Sequence, residues 1–169
     1  MRAVAWLLVA ALALSGCGSQ VDAEEWAADV CAALEPWKTG IEDLTAEANA
    51  AMDPESSPTQ AKKDLLKLLA GAADISEDAR AGIEAAGVPD IADGERMAKR
   101  FTESLAATRD AYRTAHDRIE KLDAGKGDFY DEVAAAMKQL AKDYDAVPQV
   151  AELDSEELKN AFEAVKQCQ

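Results

Sequence analysis

From Asp22 to the C-terminus the apolar residues recur at steps of three and four, and no stretch alternates with the strand period of two. The first stripe is Trp26, Val30, Leu34, Trp37, Ile41, Leu44, Ala48 and Met52. Asp22, with Glu25 three residues on, resembles a capping box and marks where this helix starts. Pro36 falls inside the stripe and removes one backbone hydrogen bond. The periodicity runs straight past it, so a kink near Leu34 is expected rather than a break. Asp53 to Pro58 is a polar, proline-bearing connection. Ser57 as N-cap, Pro58 at the first helical position and Gln60 beyond them then open a second helix. Its stripe is Leu65, Leu68, Leu69, Ala72, Ile75, Ala79 and Ile83, and Gly87-Val88-Pro89-Asp90 stops it.

The third stripe is Ala98, Phe101, Leu105, Thr108, Tyr112, Ala115, Ile119 and Leu122. Its steps alternate between three and four without exception, which is the seam of a packed bundle. Asp123 to Asp128 turns the chain on Gly125 and Gly127, and a fourth stripe runs Phe129, Val133, Met137, Leu140, Tyr144 and Val147. After Pro148, Asp154 with Glu157 opens a last helix carrying Leu158, Phe162, Val165 and Cys168. Short turns between amphipathic helices predict an all-α fold, an antiparallel helical bundle of four main helices plus a short C-terminal helix, over residues 22–169. An extended three-helix coiled coil with a separate hairpin is the weaker alternative.

The segment before Asp22 has a different pattern. Met1-Arg2 is followed by an apolar run from Ala3 to Leu14 and then Ser15-Gly16-Cys17. A basic start, a short apolar stretch and small residues at the end make a secretory signal. The run is too short to span a bilayer, which takes roughly 20 apolar residues. Leu14-Ser15-Gly16-Cys17 resembles the lipobox of bacterial lipoproteins. That resemblance implies a signal peptide over residues 1–16, diacylglycerol on the Cys17 thiol and a lipid-anchored tether over residues 17–21. It places the domain on the extracytoplasmic face of the cell membrane. Trp26-Ala27-Ala28-Asp29-Val30-Cys31 through Leu34-Glu35-Pro36-Trp37 also resembles the start of small secreted or lipid-anchored actinobacterial proteins. This second resemblance supports compartment and build, and implies no activity.

Charge narrows the partners. The chain carries 33 acidic and 18 basic residues, and loss of Arg2 with the leader brings the net charge near −16. Phosphate binding needs a clustered basic surface, so nucleic acid is excluded as a partner. Docking on anionic lipid through a basic patch is excluded for the same reason. A hydrophobic content of 49% argues against wholesale disorder. With Cys17 spent on lipid, Cys31 and Cys168 remain in an exported chain, where disulfides persist. They lack the C-x-x-C spacing of a redox pair, so a structural bond is expected. Closing so long a loop contributes about 5 kcal/mol in the chain-entropy model.

Catalytic chemistry is poorly supplied. There is one histidine, and the sequence lacks H-E-x-x-H, G-x-S-x-G, S-x-x-K and a glycine-rich phosphate loop. His116, with Glu120 one turn later, reads either as a proton carrier or as a surface pair worth a few tenths of a kcal/mol. Asp123, Asp128, Asp131 and Glu132 crowd the Gly125/Gly127 turn, where they could hold a hard cation. Lys126 interrupts them, and the same residues serve as caps and favourable helix-dipole charges. Zinc or copper would need more histidine, cysteine or methionine than is present. No metal and no cofactor is implied.

Trp26 and Trp37 stand 11 residues apart, in nearly the same direction on one helix. They either fill the core or form the wall of a pocket for a ligand or partner. The resulting expectation is a non-enzymatic, lipid-anchored bundle that binds or positions an unidentified envelope protein. The alternative is an extracytoplasmic carrier or sensor of a small apolar molecule. Replacing Cys17→Ser is expected to release the protein from the membrane fraction or leave the leader uncleaved. Unchanged fractionation and migration would remove the anchor from this picture.

Overall fold

The structure, a computed structural model, describes residues 20–51, 56–145 and 155–169. The expectations for the leader, Cys17, Met52, Val147, Pro148 and Asp154 lie outside the described residues. Five helices carry the described chain: α1 Ala23–Ala51, α2 Pro58–Ala85, α3 Gly94–Glu120, α4 Phe129–Asp145 and α5 Glu156–Ala164. They form an all-α bundle. α1 packs on α2, α2 on α3 and α3 on α4, while α5 lies on α1.

Local chemistry sets most of the helix ends. The Asp22 carboxylate accepts the backbone N–H groups of Glu24 at 2.9 Å and Glu25 at 3.3 Å, satisfying donors that the first turn leaves free. α1 then continues unbroken through Pro36. At α2, Ser57 Oγ accepts the Gln60 N–H at 3.3 Å and Pro58 takes the first position. The Gln60 side chain turns forward to Asp64 at 2.8 Å, so only half of a capping box forms. Lys62 Nζ donates to the carbonyls of Glu120 at 2.8 Å and Leu122 at 2.7 Å. A cation thus caps the end of α3, where the helix dipole favours positive charge.

The stop after α2 is more than a turn. Gly87 has φ 78°, a left-handed conformation suited to glycine. Val88–Pro89 (β2) then pairs in parallel with Gln20–Val21 (β1), and the Asp90 N–H reaches the Val21 carbonyl at 2.7 Å. Hydrophobic periodicity carries no signal for so short a ladder. A Cβ on Gly94 would collide with the Pro89 carbonyl oxygen, so α3 can start this close to the strap only with glycine there. Between the two longest helices a Cβ on Gly82 would lie 2.8 Å from the Ala33 methyl. Absence of that atom lets α1 and α2 approach closely.

The core has two main parts. At one end Trp26 and Val30 of α1 meet Ile83 of α2, Met97 and Phe101 of α3, and Leu158 of α5. Phe101 and Phe162 flank Trp26 edge-on, with ring centroids 5.2 and 6.1 Å away. At the other end Leu69 of α2, Ile119 of α3 and Leu140 of α4 pack together. Among the described residues of the first stripe only Trp26 and Val30 are fully buried; Ile41, Leu44 and Ala48 are half-buried. The cause is coverage, because α5 reaches only the first turns of α1 and α4 packs chiefly on α3.

Ser155 caps α5, its Oγ accepting the Leu158 N–H at 3.3 Å. The tail beyond it differs from the sequence reading. Cys168 does not continue the helix that carries Leu158 and Phe162. α5 ends at Ala164, Val165 is extended at φ −89° and ψ 117°, and Lys166–Cys168 form a 3-10 turn. That turn brings Cys168 to Cys31, the two joined as a disulfide with Cα atoms 5.3 Å apart. Replacing both cysteines by serine is expected to lower the unfolding free energy by about 2–5 kcal/mol. Urea denaturation of the oxidised protein measures the loss, and amide exchange should quicken first in α5. Equal stability of the two forms would show that the bond constrains nothing.

Candidate functional site

The tryptophans do not share an environment. Trp26 is fully buried, its indole N–H donating to the Gly87 carbonyl at 3.0 Å. Trp37 is half-buried and donates to Ser76 Oγ at 3.0 Å, while the buried Ser76 hydroxyl donates to the Ala72 carbonyl at 2.7 Å. Both indoles are therefore anchored by hydrogen bonds across helices, as buried tryptophan requires. Among the described residues no buried side-chain nitrogen or oxygen lacks a partner.

A large concavity lies elsewhere, towards the C-terminal end of α1. It is a groove of about 690 Å³ bounded by α1, α2 and α4. Leu65 and Leu68 of α2 form part of its lining, with Val133, Met137 and Tyr130 from α4. The α1 wall is built of Thr45, Ala48, Asn49 and Ala51. Small and short polar side chains there cannot fill the space opposite the leucines, which is why the stripes fail to close at this end. Tyr130 is 55% exposed, a large apolar ring left at the rim. The volume falls within the range of small-molecule sites, about 300–1,000 Å³. Neither Trp26 nor Trp37 lines it. The sequence reading missed Leu65, Leu68, Val133 and Met137 as groove residues because they continue core stripes. The available signal was the fading of the first stripe into alanine.

Electrostatics around the groove are simple. Among the described residues Asp64 is the one carboxylate lining it, with Gln60 Nε2 donating to Oδ1 at 2.8 Å, and no lysine, arginine or histidine is found there. The denser charge cluster is further along α2. Glu77 accepts from Arg80 at 2.8 Å and from Arg109 of α3, while Arg80 also reaches Glu84 at 2.8 Å. Hydrogen bonds from Arg80 first, and Arg109 second, hold the Glu77 carboxyl down at about 2. Burial, with a smaller contribution from Tyr144, raises the Tyr112 phenol.

The remaining polar candidates occupy structural positions or stay on the surface. His116 Nδ1 lies 3.3 Å from Asp117, not against Glu120. One ligand atom from each of these three residues lies within 4.8 Å of the others, but all belong to one face of α3. Asp123 accepts the Gly125 N–H at 2.9 Å. Asp131 and Glu132 sit in the first turn of α4, and Glu132 pairs with Arg118 at 3.7 Å. Compared with known proteins, the chain matches no family model, no curated protein and no solved structure.

The lowered Glu77 pKa fixes the sign of one pH effect. A carboxyl whose folded pKa lies below its unfolded value stabilises the fold above the unfolded value and loses that contribution as pH falls. For Glu77 the window runs from an ordinary 4.5 down to about 2. Glu77→Gln is expected to be less stable than wild type at pH 7, the gap narrowing as pH falls through this window. Chemical denaturation across pH 2–7 measures it, and a gap of constant size would contradict the assignment.

Proposed function

We propose that the protein is a lipid-anchored, non-enzymatic binding module on the extracytoplasmic face of the cell membrane, and that its groove holds a small apolar molecule. The observation that carries this reading is the groove itself, a cleft of about 690 Å³ whose floor and far wall are aliphatic. Burying a ligand there removes apolar surface from water on both partners, the main source of affinity for such a site.

The path of the N-terminus gives the anchor a geometry. Gln20–Val21 is held against Val88–Pro89 at the Trp26 end of the bundle. Cys17 is three residues upstream of that strap in the sequence. The groove lies some 20 residues further along α1, about 30 Å away at the helical rise. A lipid on Cys17 therefore puts the groove at the end of the bundle away from the anchor. The acidic surface supports that posture, since a net charge of −15 repels an anionic bilayer. No described helix is long and apolar enough to cross a membrane. A ligand entering the groove would then come from the aqueous side or from a facing protein.

The exposed ring of Tyr130 favours a second reading, in which the same cleft receives a side chain or helix of an envelope protein. The two readings share a site and differ in the occupant. Binding of the uncharged fluorophore N-phenyl-1-naphthylamine separates them. It should fluoresce in the wild type, and Ala48→Phe or Ala61→Phe should weaken binding about tenfold or more, a change of 1.4 kcal/mol or above. Helicity and thermal stability of those variants serve as folding controls. If the dye ignores the protein, or binds the filled variants equally well, the small-molecule reading fails.

A further inference from the structure

The groove's charge pattern constrains its ligand beyond apolarity. We infer that the site takes a single-chain amphiphile with a cationic head, the tail against Leu65, Leu68, Val133 and Met137 and the head against Asp64. This inference rests on the small-molecule reading above. The aliphatic lining offers van der Waals contact and nothing that selects a polar group. Among the described residues Asp64 is the one carboxylate in that lining, half-buried on α2 one residue from Leu65 and one helical turn from Leu68. A head group beside it therefore sits within a helical turn of the apolar floor, the spacing an amphiphile needs.

An anionic head has no counter-charge at this place. No lysine, arginine or histidine lines the groove among the described residues. The basic side chains whose contacts fix them close by are already engaged. Lys67 pairs with Glu47, and Lys62 donates to the Glu120 and Leu122 carbonyls. Lys67 shares a smaller adjoining pocket with Asp64 but is paired with Glu47, so a fatty-acid carboxylate or a lipid phosphate would meet Asp64 with no uncommitted cation among the described lining residues. An alkylammonium head would instead form a charge-assisted hydrogen bond with Asp64, whose Oδ1 accepts one bond from Gln60 and leaves acceptor capacity free. The excess of acidic residues over the whole chain adds in the same direction.

The test is a competition series at pH 7 with N-phenyl-1-naphthylamine bound to the full mature protein. Dodecylamine, dodecanol and dodecanoate, matched in tail and kept below their aggregation limits, are titrated as displacers. Dodecylamine should displace the dye at about tenfold lower concentration than dodecanoate. Asp64→Asn should bring the two within about twofold. Asp117→Asn, which removes an equal charge from the surface of α3, should preserve the amine preference and so isolates Asp64 from general acidity. Dodecanoate matching or beating dodecylamine on the wild type overturns the inference while leaving groove binding intact. So does an amine preference that survives Asp64→Asn. Failure of all three to displace a bound dye would remove the amphiphile, and failure of the dye itself would remove the underlying reading.

Discussion

The arrangement depends on how the last residues are fastened to the first helix. α5 has only nine residues, too few to persist as an isolated helix in water. It holds its place because Leu158 and Phe162 enter the Trp26 cluster and because the 3-10 turn beyond it joins Cys168 to Cys31. Both attachments act at the first turns of α1. They complete the wall around Trp26 and Val30, and cover nothing further along. The far half of α1 is left with α2 as its principal neighbour. The open groove is the consequence of a covering helix that is short and fastened at one end.

The same end of the bundle gathers the other constraints. β1 and β2 pair there, Gly87 turns there, and the Trp26 indole holds the Gly87 carbonyl. These constraints are thus concentrated at the end where the described chain begins, and the groove lies towards the opposite end. Such a division would suit the proposed anchoring at one end with ligand binding at the other. The Lys67–Glu47, Lys99–Glu103 and Lys159–Glu156 ion pairs are exposed and contribute little to stability individually. The Glu77 cluster differs because two arginines from two helices converge on one carboxylate, fixing α2 against α3 between the two halves of the core.

Apolar lining and acidic charge bear on the ligand in different ways. The leucines, valine and methionine of the groove set how much apolar surface can be buried, and they do not discriminate between head groups. Discrimination falls to the few polar side chains that reach the cleft, and among the described ones Asp64 is the one carboxylate. A single uncompensated carboxylate at the edge of an apolar cleft penalises anions more than it rewards cations, because the anion has no water-like substitute for its lost hydration.

Much of this was legible in the linear chain because it depends on neighbours within a turn or two. The steps of three and four placed the helices, Asp22 and Ser57 marked two starts, Gly87 marked a stop, and the parity of Cys31 and Cys168 gave their pairing. Each is a local interaction or a simple count. The tertiary structure decided what covers each stripe. Leu65 and Leu69 look alike in sequence, yet one lines a groove and the other is sealed in the core, because α1 offers alanine where α3 and α4 offer Ile119 and Leu140. Trp26 and Trp37 point the same way along one helix, but only Trp26 is met by Phe101 and Phe162. The strand pairing of Gln20–Val21 and the extended Val165 likewise had no periodic signature. Periodicity states which face of a helix avoids water, while the length and placement of other segments determine whether anything covers it.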